Sequence, residues 1–349
     1  TRNLRRWDDR AFTTWFEPFL PAFDFRNPAS VRLLLDNSLY WMNRYKLDGY
    51  RLDAVKHIRR DFWWRFRSHL RETFPAAEPY FVGETFMDRT GIAEFVGANM
   101  LDGQFDFPLY DAIIAAFARE DAPLSGLEQA LAQSEATYGR LMRMSPLLGN
   151  HDKARFMAYA DGDLPHPSIE DEEEVGWNDP PTVDDPAAYE RLKRAMTFLM
   201  TIGGIPMIYY GDEIGMTGAG DPDNRRMMRF DPGLTGAERA VRAHLSRLCH
   251  LRRAHPALYL GSRRPVTVSA DHYAYVRAHG ADAAVVLINR GRAEHRFDLD
   301  LRPEIANAVV RDAIGGVVRA VRDGRLSVTL PAGASAVYVT VRPTLPEND

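Results

Sequence analysis

Length, composition and charge are those of an ordinary globular chain, and they exclude several classes of protein. The 349 residues are 45% hydrophobic and 26% charged, enough for one large domain and a smaller one. The net charge of −4 offers no basic field of the kind that attracts nucleic acid. Cys249 is the single cysteine, which excludes an internal disulfide and a cysteine metal site, and no apolar run is long enough to span a membrane.

The first 260 residues alternate predicted helices and strands. Asn27 and Pro28 predict a helix start, because asparagine caps helices and proline fits the first turn, and apolar residues between 31 and 42 keep helical spacing. Asp61 is predicted to cap the next helix. The predicted strands are residues 48–53, 79–84, 102–106, 145–149 and 204–210; the further helices are residues 61–74, 91–98, 107–119, 125–140, 188–202 and 236–254. This alternation indicates a parallel sheet with helices outside it. Five strands do not close a barrel, which usually needs eight, so either three strands lie upstream or the sheet is open.

Three segments do not follow the alternation. Residues 1–25 are rich in aromatic side chains and predict a long loop packed on a larger body. Residues 158–187 predict a long polar loop, whose acidic run at 170–174 is expected to be solvated. After residue 261 come short, often β-branched runs with the spacing of a small antiparallel sandwich. They are residues 266–268, 272–277, 283–288, 295–299, 307–311, 317–321, 326–330 and 335–341.

Charged residues stand at the ends of predicted strands, where catalytic groups of a (β/α)₈ barrel lie. Arg51 and Asp53 are two apart in a strand and so point to one face, which inside a barrel is the interior. Such a buried pair must form an ion pair or do chemistry. Glu84 follows an apolar segment that would raise the pKa of its carboxyl, and Asp152 ends a later strand.

These carboxylates suit glycoside cleavage by the retaining route, in which one attacks the anomeric carbon and another donates and then removes a proton. Asp53 beside a fixed arginine suits the nucleophile, and Glu84 in its apolar setting suits the acid/base. Asp152 with His151 would bind sugar hydroxyls and steady the transition state. Each signal alone also fits an ordinary ion pair, loop residue or turn.

Five segments occur in one order along the chain: residues 20–24 (Leu-Pro-Ala-Phe-Asp), 49–57 (Gly-Tyr-Arg-Leu-Asp-Ala-Val-Lys-His), 81–84 (Phe-Val-Gly-Glu), 148–152 (Leu-Gly-Asn-His-Asp) and 204–213 (Gly-Ile-Pro-Met-Ile-Tyr-Tyr-Gly-Asp-Glu). Together they resemble the α-amylase family, glycoside hydrolase family thirteen. The first resembles a motif near the end of the family's inserted second domain, and the others resemble the motifs of strands four, five, seven and eight. The resemblance implies an α/β fold, a (β/α)₈ TIM barrel followed by a C-terminal antiparallel β-sandwich.

The family's strand-three motif, an Asp…Asn-His segment, does not occur, so we expect only strands four to eight of the barrel. Residues 1–260 are then a partial catalytic barrel, with the tail of the inserted domain at 1–25, and residues 261–349 are the sandwich domain. The sequence does not begin with Met. We therefore expect the missing N-terminal half of the barrel in the full protein, and poor activity from residues 1–349 alone.

The resemblance also implies roles for single residues. Asp53 would be the nucleophile, Glu84 the acid/base and Asp152 the transition-state stabiliser, while Arg51 would orient Asp53. The predicted substrate-binding residues are Arg51, Lys56, His57, Asn150, His151 and Arg225, and no side chain is predicted to bind a metal.

Two of these assignments have ordinary alternatives. Lys56 and His57 match a pair that lines the aglycone side in α-amylases and cyclodextrin glucanotransferases, but they also fit a plain solvated helix start. In the family the residue matching His57 often gives its carbonyl to a structural calcium ion. Arg225 lies in the segment 221–226, which fits a substrate-side loop or an ordinary surface loop.

The leading hypothesis is a retaining α-glucan hydrolase that cleaves α-1,4-glucosidic bonds of starch or maltooligosaccharides through a covalent intermediate on Asp53. The alternatives are a glucanotransferase that forms cyclodextrins or oligosaccharides, and an inactive glucan-binding fragment. No cofactor is expected for the chemistry, and structural calcium stays open. The expected partner is the glucan, without nucleic acid or a membrane span, and an extracellular or periplasmic location is favoured over the cytoplasm.

Overall fold

The computed structural model describes residues 19–75, 78–97, 100–139, 143–164 and 169–341. Contacts divide the chain into two compact units: unit 1 is Thr1–Pro108 with Gln133–Ser145, and unit 2 is Leu109–Ala132 with Pro146–Asp349. Most of the predicted aromatic loop at 1–25 lies outside the described residues. The predicted domain boundary after residue 260 stays a prediction.

Parallel strands with helices between them form the described part of unit 1. The elements in chain order are α1 (Pro28–Tyr45), β1 (Gly49–Leu52), a 3₁₀ turn (Val55–His57), α2 (Arg60–Thr73), β2 (Tyr80–Gly83), α3 (Arg89–Ala93) and β3 (Gly103–Gln104). The strand order is β1-β2-β3 with parallel pairing, and Phe105 forms a parallel bridge with Ser145. The predicted alternation and parallel pairing are confirmed here.

The core of unit 1 explains why α1 and α2 lie against the strands. Apolar side chains recur on one face of each helix and pack with Phe81 of β2. Phe66 of α2 contacts the ring of Phe81 at 5.2 Å between centroids. The predicted cap at α1 is confirmed, because Asn27 Oδ1 accepts the N–H of Ala29 at 3.0 Å. The predicted cap at Asp61 is wrong, because α2 already begins at Arg60.

Further helices follow along the chain. They are α4 (Phe107–Ile113), a π-helical turn (Ile114–Ala118), α5 (Leu124–Tyr138), α6 (Phe156–Asp161), α7 (Ile169–Asn178), α8 (Ala187–Thr201) and α9 (Gly236–Ala254). Residues 145–149 and 204–210, predicted as strands, form only isolated parallel bridges such as Leu147 with Met207. Pro206 contributes to this irregularity, because proline cannot donate a ladder hydrogen bond.

The predicted polar loop at 158–187 is wrong in two respects. The segment contains the end of α6 and all of α7, and the acidic run lies on α7. Glu172 is only 3% exposed, and its carboxylate accepts a hydrogen bond from the Tyr159 hydroxyl, whereas Glu173 and Glu174 are exposed as expected. A helix turns one residue of a charged run inward while its neighbours stay in solvent.

Antiparallel strands occupy the C-terminal part of unit 2, and all eight predicted runs are strands. They are β4 (Ser262–Val268), β5 (His272–His279), β6 (Asp282–Asn289), β7 (His295–Asp300), β8 (Ala308–Asp312), β9 (Val318–Val321), β10 (Arg325–Leu330) and β11 (Ser335–Thr340). Six form a sheet of order β4-β5-β6-β11-β8-β9, and β7 pairs with β10. Side chains of both sheets, such as Leu287 and Phe297, share one buried core. Among the described helices, none combines the length and apolarity needed to cross a bilayer.

Candidate active site

The predicted site residues fall into two groups, one in each unit. The group in unit 1 comprises Arg51, Asp53, Lys56, His57 and Glu84. The group in unit 2 comprises Asn150, His151, Asp152 and Arg225.

Arg51 and Asp53 lie at the carboxyl end of β1 and are paired as predicted. The Arg51 guanidinium donates to the Asp53 carboxylate, and its carbon Cζ lies 6.0 Å from the centroid of the Phe105 ring. The expectation that both are buried is wrong, because the side chain of Asp53 is 76% exposed and that of Arg51 is 31% exposed. The reason is local: β1 ends at Leu52, so Asp53 already lies in the turn beyond the strand.

Glu84 follows β2 and is tied to the turn after β1. Its N–H donates to the carbonyl of Leu52 at 2.8 Å, and its carboxylate Oε2 accepts the N–H of Ala54 at 3.0 Å. Ala54 presents this N–H from a left-handed backbone conformation, with φ of 45°. Burial raises the pKa of Glu84, although the hydrogen bond from Ala54 and the nearby Arg51 oppose the rise. The predicted direction of the Glu84 pKa shift is therefore confirmed.

Lys56 and His57 form the 3₁₀ turn beside Glu84. Lys56 Nζ donates to the carbonyl of Phe86 at 3.1 Å, and burial lowers the pKa of Lys56 while the Glu84 carboxylate opposes that change. His57 is 7% exposed, and burial together with Lys56 lowers its pKa to about 4. His57 is therefore neutral at pH 7, and the alternative of a plain solvated helix start does not describe this pair.

Asn150, His151 and Asp152 form one tight turn in unit 2. Buried Asn150 accepts the N–H of Asp152 with its Oδ1 at 2.9 Å, and His151 Nε2 lies 3.3 Å from Asp152 Oδ2. The side chains of His151 and Asp152 are 45% and 53% exposed. Arg225 lies beside the turn, with NH2 3.6 Å from Asp152 Oδ1 and 2.7 Å from Asp221 Oδ2. The four predicted residues of this unit therefore lie together.

The segment that carries Arg225 is attached to this turn by backbone hydrogen bonds. Asn224 is fully buried, and its Nδ2 donates to the carbonyls of His151 and Lys153 at 2.9 Å each. Arg225 Nε donates to the carbonyl of His151 at 3.1 Å. These contacts favour the interpretation that the segment 221–226 is part of the site over the interpretation that it is an independent surface loop.

The sequence analysis did not single out Arg155, a fully buried arginine that follows the turn. Its guanidinium lies beside the rings of Tyr209 and Tyr210 and near the carboxylate of Asp212. Burial raises the pKa of Asp212 to about 7, and the positive charge of Arg155 opposes that rise. The available signal was a lone arginine inside the apolar run 154–160, since a buried charge demands partners.

The described residues offer no side-chain cluster for a metal ion. No group of three or more His, Cys, Asp or Glu side chains within them has a spacing that holds a metal. The ligand that the resemblance suggests at His57 is its main-chain carbonyl, which is not a side-chain ligand. Calcium binding stays a prediction, and no chemical step is assigned to it.

The two carboxyl groups of unit 1 suit different chemical roles, one as a nucleophile and the other as an acid. One carboxylate, Asp53, is exposed and paired with an arginine, while the other, Glu84, is half-buried with a raised pKa. Two carboxyl groups in such different environments can perform different roles at one pH. This pair therefore can combine nucleophilic attack with proton transfer.

Comparison with known proteins identifies the family. Residues 3–243 match the family model of the α-amylase catalytic domain. A cyclomaltodextrinase from Geobacillus thermopakistaniensis is 29% identical over 82% of this chain and 44% of its own length. A cyclomaltodextrin glucanotransferase from Bacillus licheniformis is 29% identical over 84% of this chain and 37% of its own length. The chain thus spans less than half the length of these two relatives.

Solved structures agree with the family match. The α-amylase from Geobacillus thermoleovorans, solved as a complex with acarbose, is similar with a TM-score of 0.81 and 27% identity. The likeness covers 98% of this chain and 70% of that one. The family match and this neighbour imply a TIM-barrel fold. The chain belongs to the α-amylase family of glycoside hydrolases.

Proposed function

We propose that the protein is a retaining α-glucan hydrolase that cleaves α-1,4-glucosidic bonds in starch or maltooligosaccharides. The observation that carries the proposal is the pair of carboxyl groups in unit 1. Glu84 is held by the Ala54 N–H and has a raised pKa, and Asp53 is exposed beside Arg51. The names of the related cyclomaltodextrinase and the acarbose complex of the similar α-amylase support a glucan substrate.

In the proposed mechanism Asp53 attacks the anomeric carbon while the bond from that carbon to the leaving oxygen breaks. Glu84 gives its proton to the leaving oxygen, so the departing sugar leaves as an alcohol. Glu84, now a carboxylate, takes a proton from water as the water oxygen attacks the anomeric carbon. The bond to Asp53 breaks in this second step, which restores both carboxyl groups and releases the sugar.

The remaining residues are proposed to bind the sugar rather than to react with it. Asp152 and His151 would contact hydroxyl groups and stabilise the charge that develops on the ring in the transition state. Lys56 and His57 would lie along the aglycone side. Asn150 holds the turn that carries Asp152, and Arg225 adds a positive charge beside that carboxylate.

A glucanotransferase is the second candidate, because a cyclomaltodextrin glucanotransferase is among the relatives at 29% identity. It would form the same intermediate on Asp53 and pass the glycosyl unit to a sugar hydroxyl rather than to water. New reducing ends would show hydrolysis, and longer or cyclic glucans would show transfer. The third candidate, an inactive glucan-binding protein, is disfavoured by the intact Asp53 and Glu84.

The proposal has two further parts. From the motif order alone, we propose that strands one to three of the barrel come from sequence outside these 349 residues, so the isolated chain should be poorly active. We also keep the proposal of an extracellular or periplasmic location. Full activity of purified residues 1–349 would contradict the first part.

The test is the release of reducing ends from starch, maltooligosaccharides and cyclomaltodextrins by the full-length protein, as wild type and as Asp53→Asn. Loss of the nucleophile should lower kcat by about three orders of magnitude or more. Asp298→Asn is the matched control, because Asp298 forms an exposed pair with Arg296, two residues before it, as Asp53 does with Arg51. Wild-type activity in Asp53→Asn would refute the catalytic assignment.

A further inference from the structure

We infer that Arg155 is a positioning residue that fixes the turn of His151 and Asp152. This inference rests on the proposed function, because that function gives the turn its role in sugar binding. Arg155 lies three residues after Asp152, and its N–H donates to the carbonyl of Gly218 at 2.9 Å. Its side chain is fully buried, so it touches no substrate itself.

The guanidinium of Arg155 joins two loops that follow the turn in the sequence. Its Nε donates to the carbonyl of Asn224 at 2.9 Å, and its NH1 donates to the carbonyl of Tyr210. NH1 also lies 3.4 Å from Asp212 Oδ1, an ion-pair distance at which the hydrogen bond is weak. The short hydrogen bonds of the Arg155 side chain therefore go to main-chain carbonyls of the two loops, and its contact with the Asp212 carboxylate is longer and weaker.

Two aromatic rings restrict the guanidinium further. Its carbon Cζ lies 4.3 Å from the ring centroid of Tyr209 and 4.7 Å from that of Tyr210, and the two rings are inclined by 68°. Both distances are within the range of cation–π attraction, which is strongest where water is excluded. The planar, forked guanidinium satisfies these contacts and the two carbonyls at once, which the single ammonium of a lysine cannot do.

Asn224 carries this restraint to the proposed sugar-binding turn. Its carbonyl accepts from Arg155, while its side-chain amide donates to the carbonyls of His151 and Lys153, on both sides of Asp152. Asp152 itself is half exposed, so packing of its own side chain does little to fix it. The position of the Asp152 carboxylate therefore depends on the chain of contacts from Arg155 through Asn224.

The experiment uses the full-length protein and compares wild type with Arg155→Met, Arg155→Lys and a control, Arg194→Met. Arg194 is a matched buried arginine in unit 2: it donates to the Gly333 carbonyl at 2.8 Å and to Glu120 Oε1 at 2.6 Å. Its partners lie outside both predicted groups of site residues. Removing it should destabilise the fold without moving the turn.

Kinetics on maltooligosaccharides give the first measurement. A displacement of a catalytic group by about 1 Å costs on the order of 100-fold in rate, so Arg155→Met should lower kcat by about 100-fold and change KM by less than about threefold. Arg155→Lys keeps the positive charge but loses the planar, forked guanidinium, and its kcat should be about tenfold higher than that of Arg155→Met. Arg194→Met should keep kcat within about twofold of wild type. A fall in kcat that is equal in Arg155→Met and Arg194→Met would overturn the inference.

Hydrogen–deuterium exchange gives a measurement that does not depend on activity. In Arg155→Met, peptides covering 150–154 and 221–226 should exchange faster than in wild type, and Arg194→Met should leave them unchanged. Unchanged exchange in Arg155→Met would overturn the positioning role even if activity were lost. If the full-length wild type hydrolysed no α-glucan, the proposed function would fail, and exchange alone would decide whether Arg155 fixes the turn.

Discussion

Replacing Glu84 by glutamine tests the proposed acid with little disturbance of the fold. The glutamine oxygen can accept the N–H of Ala54 just as the carboxylate Oε2 does, and the side chain keeps its size. What disappears is the ability to give and take a proton. The variant therefore separates the chemical role of Glu84 from its structural role.

The size of the effect follows from the step that needs the acid. General acid catalysis contributes about 10²–10⁴-fold, so Glu84→Gln should lower kcat/KM on maltooligosaccharides by about 10³-fold. An aryl glycoside with an acidic phenol as leaving group needs little protonation. Its first, glycosylating step should therefore slow by only about tenfold. The contrast between the two substrates is the signature of an acid.

Stability should move in the opposite direction from activity. Because burial raises the pKa of Glu84, its contribution to stability is complete below its ordinary pKa and is lost as pH rises through the raised value. The ionised group thus disfavours folding at neutral pH, and neutral glutamine removes that cost. Thermal unfolding at pH 7 should show a Tm equal to or above that of wild type, and the difference should vanish in acid.

The assay uses the full-length protein and follows reducing ends from maltooligosaccharides and the phenol released in pre-steady-state bursts from the aryl glycoside. Glu94→Gln is the control, because Glu94 lies on the surface, paired with Arg60, and should behave as wild type. An equal loss on both substrates would refute the assignment of Glu84 as the acid. A markedly lower Tm would show that its role is structural.

Three further predictions concern stability. Asp53→Asn should abolish glucan cleavage but shift the Tm by less than about 2 °C, because an exposed ion pair contributes at most about 1 kcal/mol to stability. A much larger fall in Tm would contradict this prediction. Glu172→Ala should cost about 2 kcal/mol in urea unfolding, since it leaves the Tyr159 hydroxyl without this acceptor, whereas Glu173→Ala should stay within about 0.5 kcal/mol of wild type. Burial raises the pKa of Asp212 to about 7, so the contribution of this carboxyl group to stability is lost as pH rises through about 7. Asp212→Asn should therefore make the free energy of unfolding depend less on pH in this range. A pH dependence equal to that of wild type would refute the prediction.

The parts of the fold that the sequence predicted are those with local signals. The eight C-terminal strands are short β-branched runs bounded by turn residues, and all eight occur. Asn27 and Pro28 began α1 as expected, because capping depends on residues within one turn. The motifs around Asp53 and Asp152 predicted two groups of site residues, and each group lies together within its unit.

What the sequence did not predict depends on contacts distant in the chain. Glu172 is buried because α7 turns it toward the Tyr159 hydroxyl, which a count of charges in a window cannot detect. Arg155 is surrounded by residues 54 to 69 positions later in the chain, so its partners have no local signature. The exposure of Asp53 followed from where β1 ends, and strand ends are the least certain part of a sequence-based prediction.

The left-handed backbone at Ala54 has a consequence for protein engineering. A residue with a side chain pays about 1–2 kcal/mol for this conformation, and a glycine would not. A redesign guided by thermal stability alone would therefore select Ala54→Gly early. Glycine keeps the main-chain N–H that holds the Glu84 carboxyl, so such a variant should gain heat resistance and still turn over its substrate at about the wild-type rate.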